Sequence, residues 1–138
     1  METCSENAVS WGMDSMKHVL VVDDEPGLLQ VVDACLTLAG YRVTTSDNGE
    51  EALDIIVSQH PDIVLLDILM VPVDGFEVLD RLRSFSQVPV IVFTAMNLIA
   101  KEALNLGAND CLAKPFRHED LVSKIESTLN GLQPDRPK

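Results

Sequence analysis

Residues 61–79 read PDIVLLDILMVPVDGFEVL. Four consecutive apolar residues, Ile63 to Leu66, run into Asp67, and four more, Ile68 to Val71, follow before Pro72. An apolar run without alternation suits a strand of a parallel sheet covered on both faces. A carboxylate set in such a run is costly unless something nearby compensates its charge.

Four other short runs resemble the first: HVLVV at 18–22, RVTTS at 42–46, PVIVF at 89–93 and DCLA at 110–113, with DIVLL at 62–66 as the third of five. Helical spacing appears between and after them. Leu28, Val32, Cys35 and Ala39 mark a first helix that Gly40 stops. Ala52, Leu53 and Ile56 mark a second, opened by DNGEEA; Val78, Leu79, Leu82 and Phe85 a third, starting near Gly75. Ile99, Ala103 and Leu106 mark a fourth, stopped by Gly107. Leu121, Val122, Ile125 and Leu129 mark a fifth, with Glu119 and Asp120 in the first turn, where the helix dipole favours acids. Five strand–helix units predict an α/β fold, a doubly wound five-stranded parallel sheet in a three-layer α/β/α arrangement. Residues 17–132 form that body, with a flexible tail expected over 1–16 and a short one over 133–138.

In such sheets ligands bind beyond the carboxyl ends of the strands, where the strand order reverses. Four of the runs are followed there by a polar residue: Asp23 and Asp24 after the first, Asp67 after the third, Thr94 after the fourth, Lys114 after the fifth. If the order is 2-1-3-4-5, the three carboxylates converge. Carboxylates packed together raise one another's pKa or recruit a cation, and a hard divalent ion that retains waters is Mg2+. Such an ion and Lys114 would neutralise an incoming phosphoryl group, and an aspartate could then act as nucleophile and form an acyl phosphate. In that reading Asp23 and Asp24 hold the ion, Leu69 offers it a backbone carbonyl, Asp67 faces the phosphorus, and the Thr94 hydroxyl reaches a phosphoryl oxygen after transfer.

Composition narrows the choice. The 138 residues carry a net charge of −12, with the basic residues scattered. Nucleic acid and anionic membranes demand clustered Lys and Arg, so neither is expected as a direct partner. The acid excess suits a basic partner, a cation or plain solubility. Three cysteines, Cys4, Cys35 and Cys111, form no CxxC pair, which fits a reducing compartment. No secretory signal opens the chain and no apolar run nears the ~18 residues of a membrane span. A cytoplasmic protein is expected.

VVDDEP, DIVLLDILM, DGFEVL, VIVFTA and AKPF resemble, in order and spacing, the receiver domain of two-component response regulators, over nearly the whole body. The resemblance implies the flavodoxin-like order 2-1-3-4-5. It implies that Asp67 takes a phosphoryl group from a phosphohistidine on a sensor histidine kinase or phosphotransfer protein. It implies Mg2+ held by Asp24 directly, with Asp23 helping, a phosphoryl contacted by Thr94, Ala95 and Lys114, and a cis Lys114–Pro115 peptide. A switch without enzymatic turnover follows, read by a downstream protein, with no output domain in this chain; a phosphorylation-dependent homodimer stays open. Two positions depart from the family. Cys111 stands where an aromatic residue usually swings inward, so the switch would run through Thr94 and its loop. Val71 stands where proline is usual, and Pro72 follows it, so a locally altered loop around an intact site is expected.

Plainer readings exist for each residue. Asp23 or Asp24 could cap the helix that opens at Glu25-Pro26, Asp67 could be a solvated strand end, Lys114 a surface lysine and Thr94 a β-former. Gly75 reads as a turn or cap glycine. His18, His60 and His118 lack metal-ligand spacing, and Cys111 reads as a packed strand residue before a redox thiol. Other functions weighed are an aspartyl phosphatase or mutase, a scaffold that takes no phosphate, and a receiver cut from a longer regulator.

Overall fold

The computed structural model describes residues 16–68, 74–94 and 97–131, with side chains omitted over 97–100. Five strands, β1 (His18–Val22), β2 (Arg42–Ser46), β3 (Ile63–Asp67), β4 (Val90–Thr94) and β5 (Asp110–Ala113), pair in parallel in the order β2-β1-β3-β4-β5. Five helices follow them in turn: α1 (Pro26–Leu38), α2 (Gly49–Gln59), α3 (Gly75–Arg83), α4 (Asn97–Asn105) and α5 (His118–Asn130). This is the predicted architecture.

Alternation divides the sheet's side chains between two cores. Ile63 and Leu65 of β3 and Ile91 and Phe93 of β4 pack with Leu29, Val32 and Leu36 of α1 and with Leu121 and Ile125 of α5. Val64, Leu66, Val90 and Val92 pack with Ala52, Leu53 and Ile56 of α2, Val78, Leu79 and Leu82 of α3, and Ala103 of α4. Each fully buried Leu or Ile contributes roughly 1.5–3 kcal/mol by leaving water. Burial on both faces explains the uninterrupted apolar runs.

Boundaries shift in ways that matter. β3 and β4 each lie one residue later than the runs suggest, so Asp67 and Thr94 are the last residues of their strands. The buried stripe of α1 is Leu29, Val32 and Leu36; Leu28 and Cys35 only flank it, and Ala39 is the exposed C-cap. Phe85 lies beyond the end of α3 and is 50% exposed, and Leu106 lies beyond α4 and is 42% exposed, so neither belongs to a core stripe. Gly40 and Gly107 end their helices with φ of 100° and 113°, values that disfavour a side chain.

Caps and clamps fix the loops. Asn48 caps α2 by accepting from the Glu51 N–H at 2.8 Å, and Asp74 caps α3 by accepting from the Glu77 N–H at 2.9 Å. Arg83 donates to the Gly107 carbonyl, the Ser86 and Val88 carbonyls and Asn109 Oδ1. Gly75 has a distinct role from that of a turn glycine. A Cβ there would collide with the Asp67 carbonyl oxygen and Ile68 Cα. Its N–H donates to the Ile68 carbonyl at 2.8 Å. The start of α3 is thus pressed against the end of β3.

Candidate functional site

β1 and β3 are neighbours, and the chain leaves them in opposite lateral directions. The reversal point therefore lies at their carboxyl ends, where Asp67 and the residues after Val22 sit. Asp23, Asp24 and Asp67 each bring one carboxylate oxygen to within 4.8 Å of the others. Asp23 and Asp67 are buried and Asp24 is exposed.

Lys114, just beyond β5, closes the cluster. Its Nζ donates to Asp23 Oδ2 at 2.9 Å and to Asp67 Oδ2 at 3.3 Å. Burial alone would lower the pKa of Lys114. The hydrogen bonds and negative charges of Asp23 and Asp67 outweigh it, so the ammonium is held above the usual lysine range. The preceding plain readings of Lys114 and Asp67 do not survive this geometry: neither is a freely solvated side chain. The capping reading survives in modified form. The N-cap position of α1 is Glu25, without a side-chain bond, while Asp23 Oδ1 accepts from the Glu25 N–H at 2.9 Å.

Among the described residues three carboxylates thus gather at this rim, and Lys114 pairs with two of them, Asp23 and Asp67. Both Asp23 oxygens are engaged, and each retains a further lone pair. Hard oxygen donors from three side chains, close enough to share one ion, fit a divalent cation of the Mg2+ kind. Asp24 is the exposed member of the three.

Thr94 ends β4, buried at 1% exposure, and its carbonyl accepts from the Lys114 N–H at 2.9 Å. The Lys114–Pro115 peptide bond is cis. Cys111 lies partly buried on the edge strand β5 as a free thiol, opposite Val92. Leu69, Ala95, Val71, Pro72, Cys4 and the tail residues 1–15 and 133–138 lie outside the described residues. His18 and His60 do not join the site. His18 starts β1 at the opposite rim, and His60 is the left-handed C-cap of α2. His118 is an exposed first residue of α5.

One neighbour of Lys114 was not singled out by sequence reasoning. Its Nζ lies 5.1 Å from the centroid of the Phe93 ring, which stacks on Phe116 at 5.8 Å and 11°. The signal available was two phenylalanines directly adjoining two chosen residues, in VFT and KPF.

The family described as response regulator receiver domain matches residues 19–126. Among curated relatives, the probable transcriptional regulator ycf27 of Cyanophora paradoxa is 41% identical over 115 residues, 82% of this chain and 48% of its own length. The response regulator MprA of Mycolicibacterium vanbaalenii is 38% identical over 121 residues, 86% of this chain and 52% of its own. The chain spans about half the length of these relatives. The chemotaxis response regulator CheY4 of Vibrio cholerae superposes with a TM-score of 0.78 at 32% identity, covering 83% of this chain and 99% of that one. The Francisella response regulator 1452 receiver domain gives 0.79 at 28% identity, covering 85% and 99%. Matched over most of its length and superposable on solved members end to end, the chain belongs to the response regulator receiver domain family, a component of two-component signalling.

Proposed function

We propose that this chain is a phosphorylation-controlled switch whose acceptor is Asp67. The supporting observation is the bridging of Asp23 and Asp67 by Lys114 where three carboxylates, Asp23, Asp24 and Asp67, gather within 4.8 Å of one another. Asp67 Oδ attacks the phosphorus of a phosphohistidine on a sensor kinase or phosphotransfer protein. The O–P bond forms as the N–P bond breaks, and the imidazole nitrogen leaves with the electron pair. Asp23, Asp24 and Asp67, with the Leu69 carbonyl as the expected backbone ligand, would hold Mg2+, which would supply positive charge against the repulsion of the phosphoryl group. Lys114 supplies the remaining positive charge, and Thr94 meets a phosphoryl oxygen once the group has arrived.

The chain acts as a stoichiometric acceptor, not a catalyst of turnover, and the modified state alters a surface that a downstream protein reads. We place the exchange in the cytoplasm, where a kinase draws on ATP. Among the described residues no helix is long and apolar enough to cross a membrane.

Incubation with Mg2+ and acetyl phosphate followed by mass spectrometry tests this reading. One phosphoryl adduct, labile to hydroxylamine, is expected, and Asp67→Asn should abolish it. An unmodified wild-type protein would support a scaffold that takes no phosphate. A labelled Asp67→Asn protein would move the acceptor elsewhere.

A further inference from the structure

The lysine that bridges the two aspartates is held by more than charge. Phe93 is the direct β-sheet partner of Asp67 across the β3–β4 ladder, so the two side chains leave the same face of the sheet. Phe93 is 1% exposed, fixed in the core beneath α1 and α5. The Lys114 ammonium lies 5.1 Å from its ring centroid, and Phe116 stacks on that ring at 5.8 Å. Phe116 itself sits beside Leu121 and Cys35, at the groove between α1 and the start of α5.

We propose that Phe93 is a positioning residue for Lys114, with Phe116 as its brace. A lysine is a point charge on a flexible four-carbon stem, and two carboxylates on one side do not fix it laterally. The negative face of an aromatic ring supplies a third contact. This contact differs from the Asp67 ion pair in one chemical respect. When Asp67 becomes an acyl phosphate its carboxylate charge is lost from that oxygen pair, whereas the ring quadrupole is unchanged. The ammonium therefore keeps the ring, along with Asp23, through both states.

This inference rests on the proposed role of Asp67, and the test separates the two. In wild-type protein with labelled lysine side chains, the Lys114 methylene protons next to Nζ should resonate upfield of the other lysines through the ring current, assigned by their loss in Lys114→Gln. Phe93→Leu should return them to the ordinary position and slow phosphoryl uptake from acetyl phosphate about three- to tenfold. In a Lys114→Gln background Phe93→Leu should cost nothing further. A milder Phe116→Leu should give a smaller slowing of the same kind. Ordinary Lys114 shifts in the wild type, or a Phe93→Leu loss of equal size with and without the lysine, would overturn the positioning role. If the wild-type protein takes no phosphoryl group, the proposed function falls, while the proton shifts still decide whether the ring holds the ammonium.

Discussion

The two rims of the sheet both bury ionisable groups, and they treat them in opposite ways. At the amino-end rim, His18 is buried, its Nε2 shares a hydrogen bond of 2.7 Å with Thr44 Oγ1, and Arg42 approaches its Nδ1 at 3.3 Å. Thr44 in turn donates to Gln59 Oε1, so Nε2 carries the proton and Nδ1 accepts. The His18 N–H donates to Asp62 Oδ2 at 2.7 Å and the Asp62 N–H returns to the His18 carbonyl at 2.8 Å. Burial and the Arg42 charge, against Asp62, push the His18 pKa down, and the ring stays neutral. Donors and acceptors there meet one another, and Arg42 and Asp62 balance in charge. At the carboxyl-end rim the described acids Asp23, Asp24 and Asp67 crowd around Lys114. A closed network points to architecture; a crowded, acid-rich one is where the proposed cation and phosphoryl group would be received.

The comparison can be broken most sharply at Gly75. Gly75→Ala would force α3 away from the Asp67 and Ile68 backbone and should cost about 1–3 kcal/mol or more in urea unfolding. A variant as stable as the wild type would show that the acceptor's backbone is not set by this contact. Lys114→Gln should come next. It removes the Lys114 counter-charge from Asp23 and Asp67, so thermal stability in a chelator should fall by about 1–3 kcal/mol, discounted for partial exposure. Mg2+ should restore part of that loss, and an equal loss with and without the ion would contradict a cation-receiving rim.

For the wild type, Mg2+ at ten times its dissociation constant should raise stability by about 1.4 kcal/mol. Asp24→Asn should weaken that response, while His18→Gln should leave it intact. The smallest expected effect belongs to the lower rim. The unfolded chain protonates His18 near the ordinary value of 6.5, and the folded chain only at lower pH. The folded state therefore binds fewer protons, and stability should fall as pH drops below about 6.5 until the folded ring also titrates. His18→Gln should flatten that part of the profile; an unchanged slope would assign it to other groups.

Much of this was readable in the sequence, and the exceptions have physical causes. Ile63 to Leu66 and Val90 to Phe93 announced buried parallel strands because both faces of the sheet are covered. Asp23, Asp67 and Lys114 stood out because each ends an apolar run. The face of α1 was misplaced because LLQVV offers Leu28 beside Leu29 and Val31 beside Val32, and either set has helical spacing. Phe85 kept the period of α3 although the helix had ended at Arg83, and periodicity carries no stop signal there. The Lys114–Phe93–Phe116 arrangement was hidden because side-chain direction beyond a strand's end is not set by alternation. Gly75 reads in the sequence as a turn or cap glycine, because its contact with β3 lies in tertiary structure.

That contact has a wider consequence. The chain leaves β3 at Ile68 and is stitched back onto it by the Gly75 N–H, so the end of the strand and the start of α3 are joined directly. Two elements therefore share the fixing of one carboxylate: β3 carries Asp67, and the first turn of α3 locks the backbone just after it.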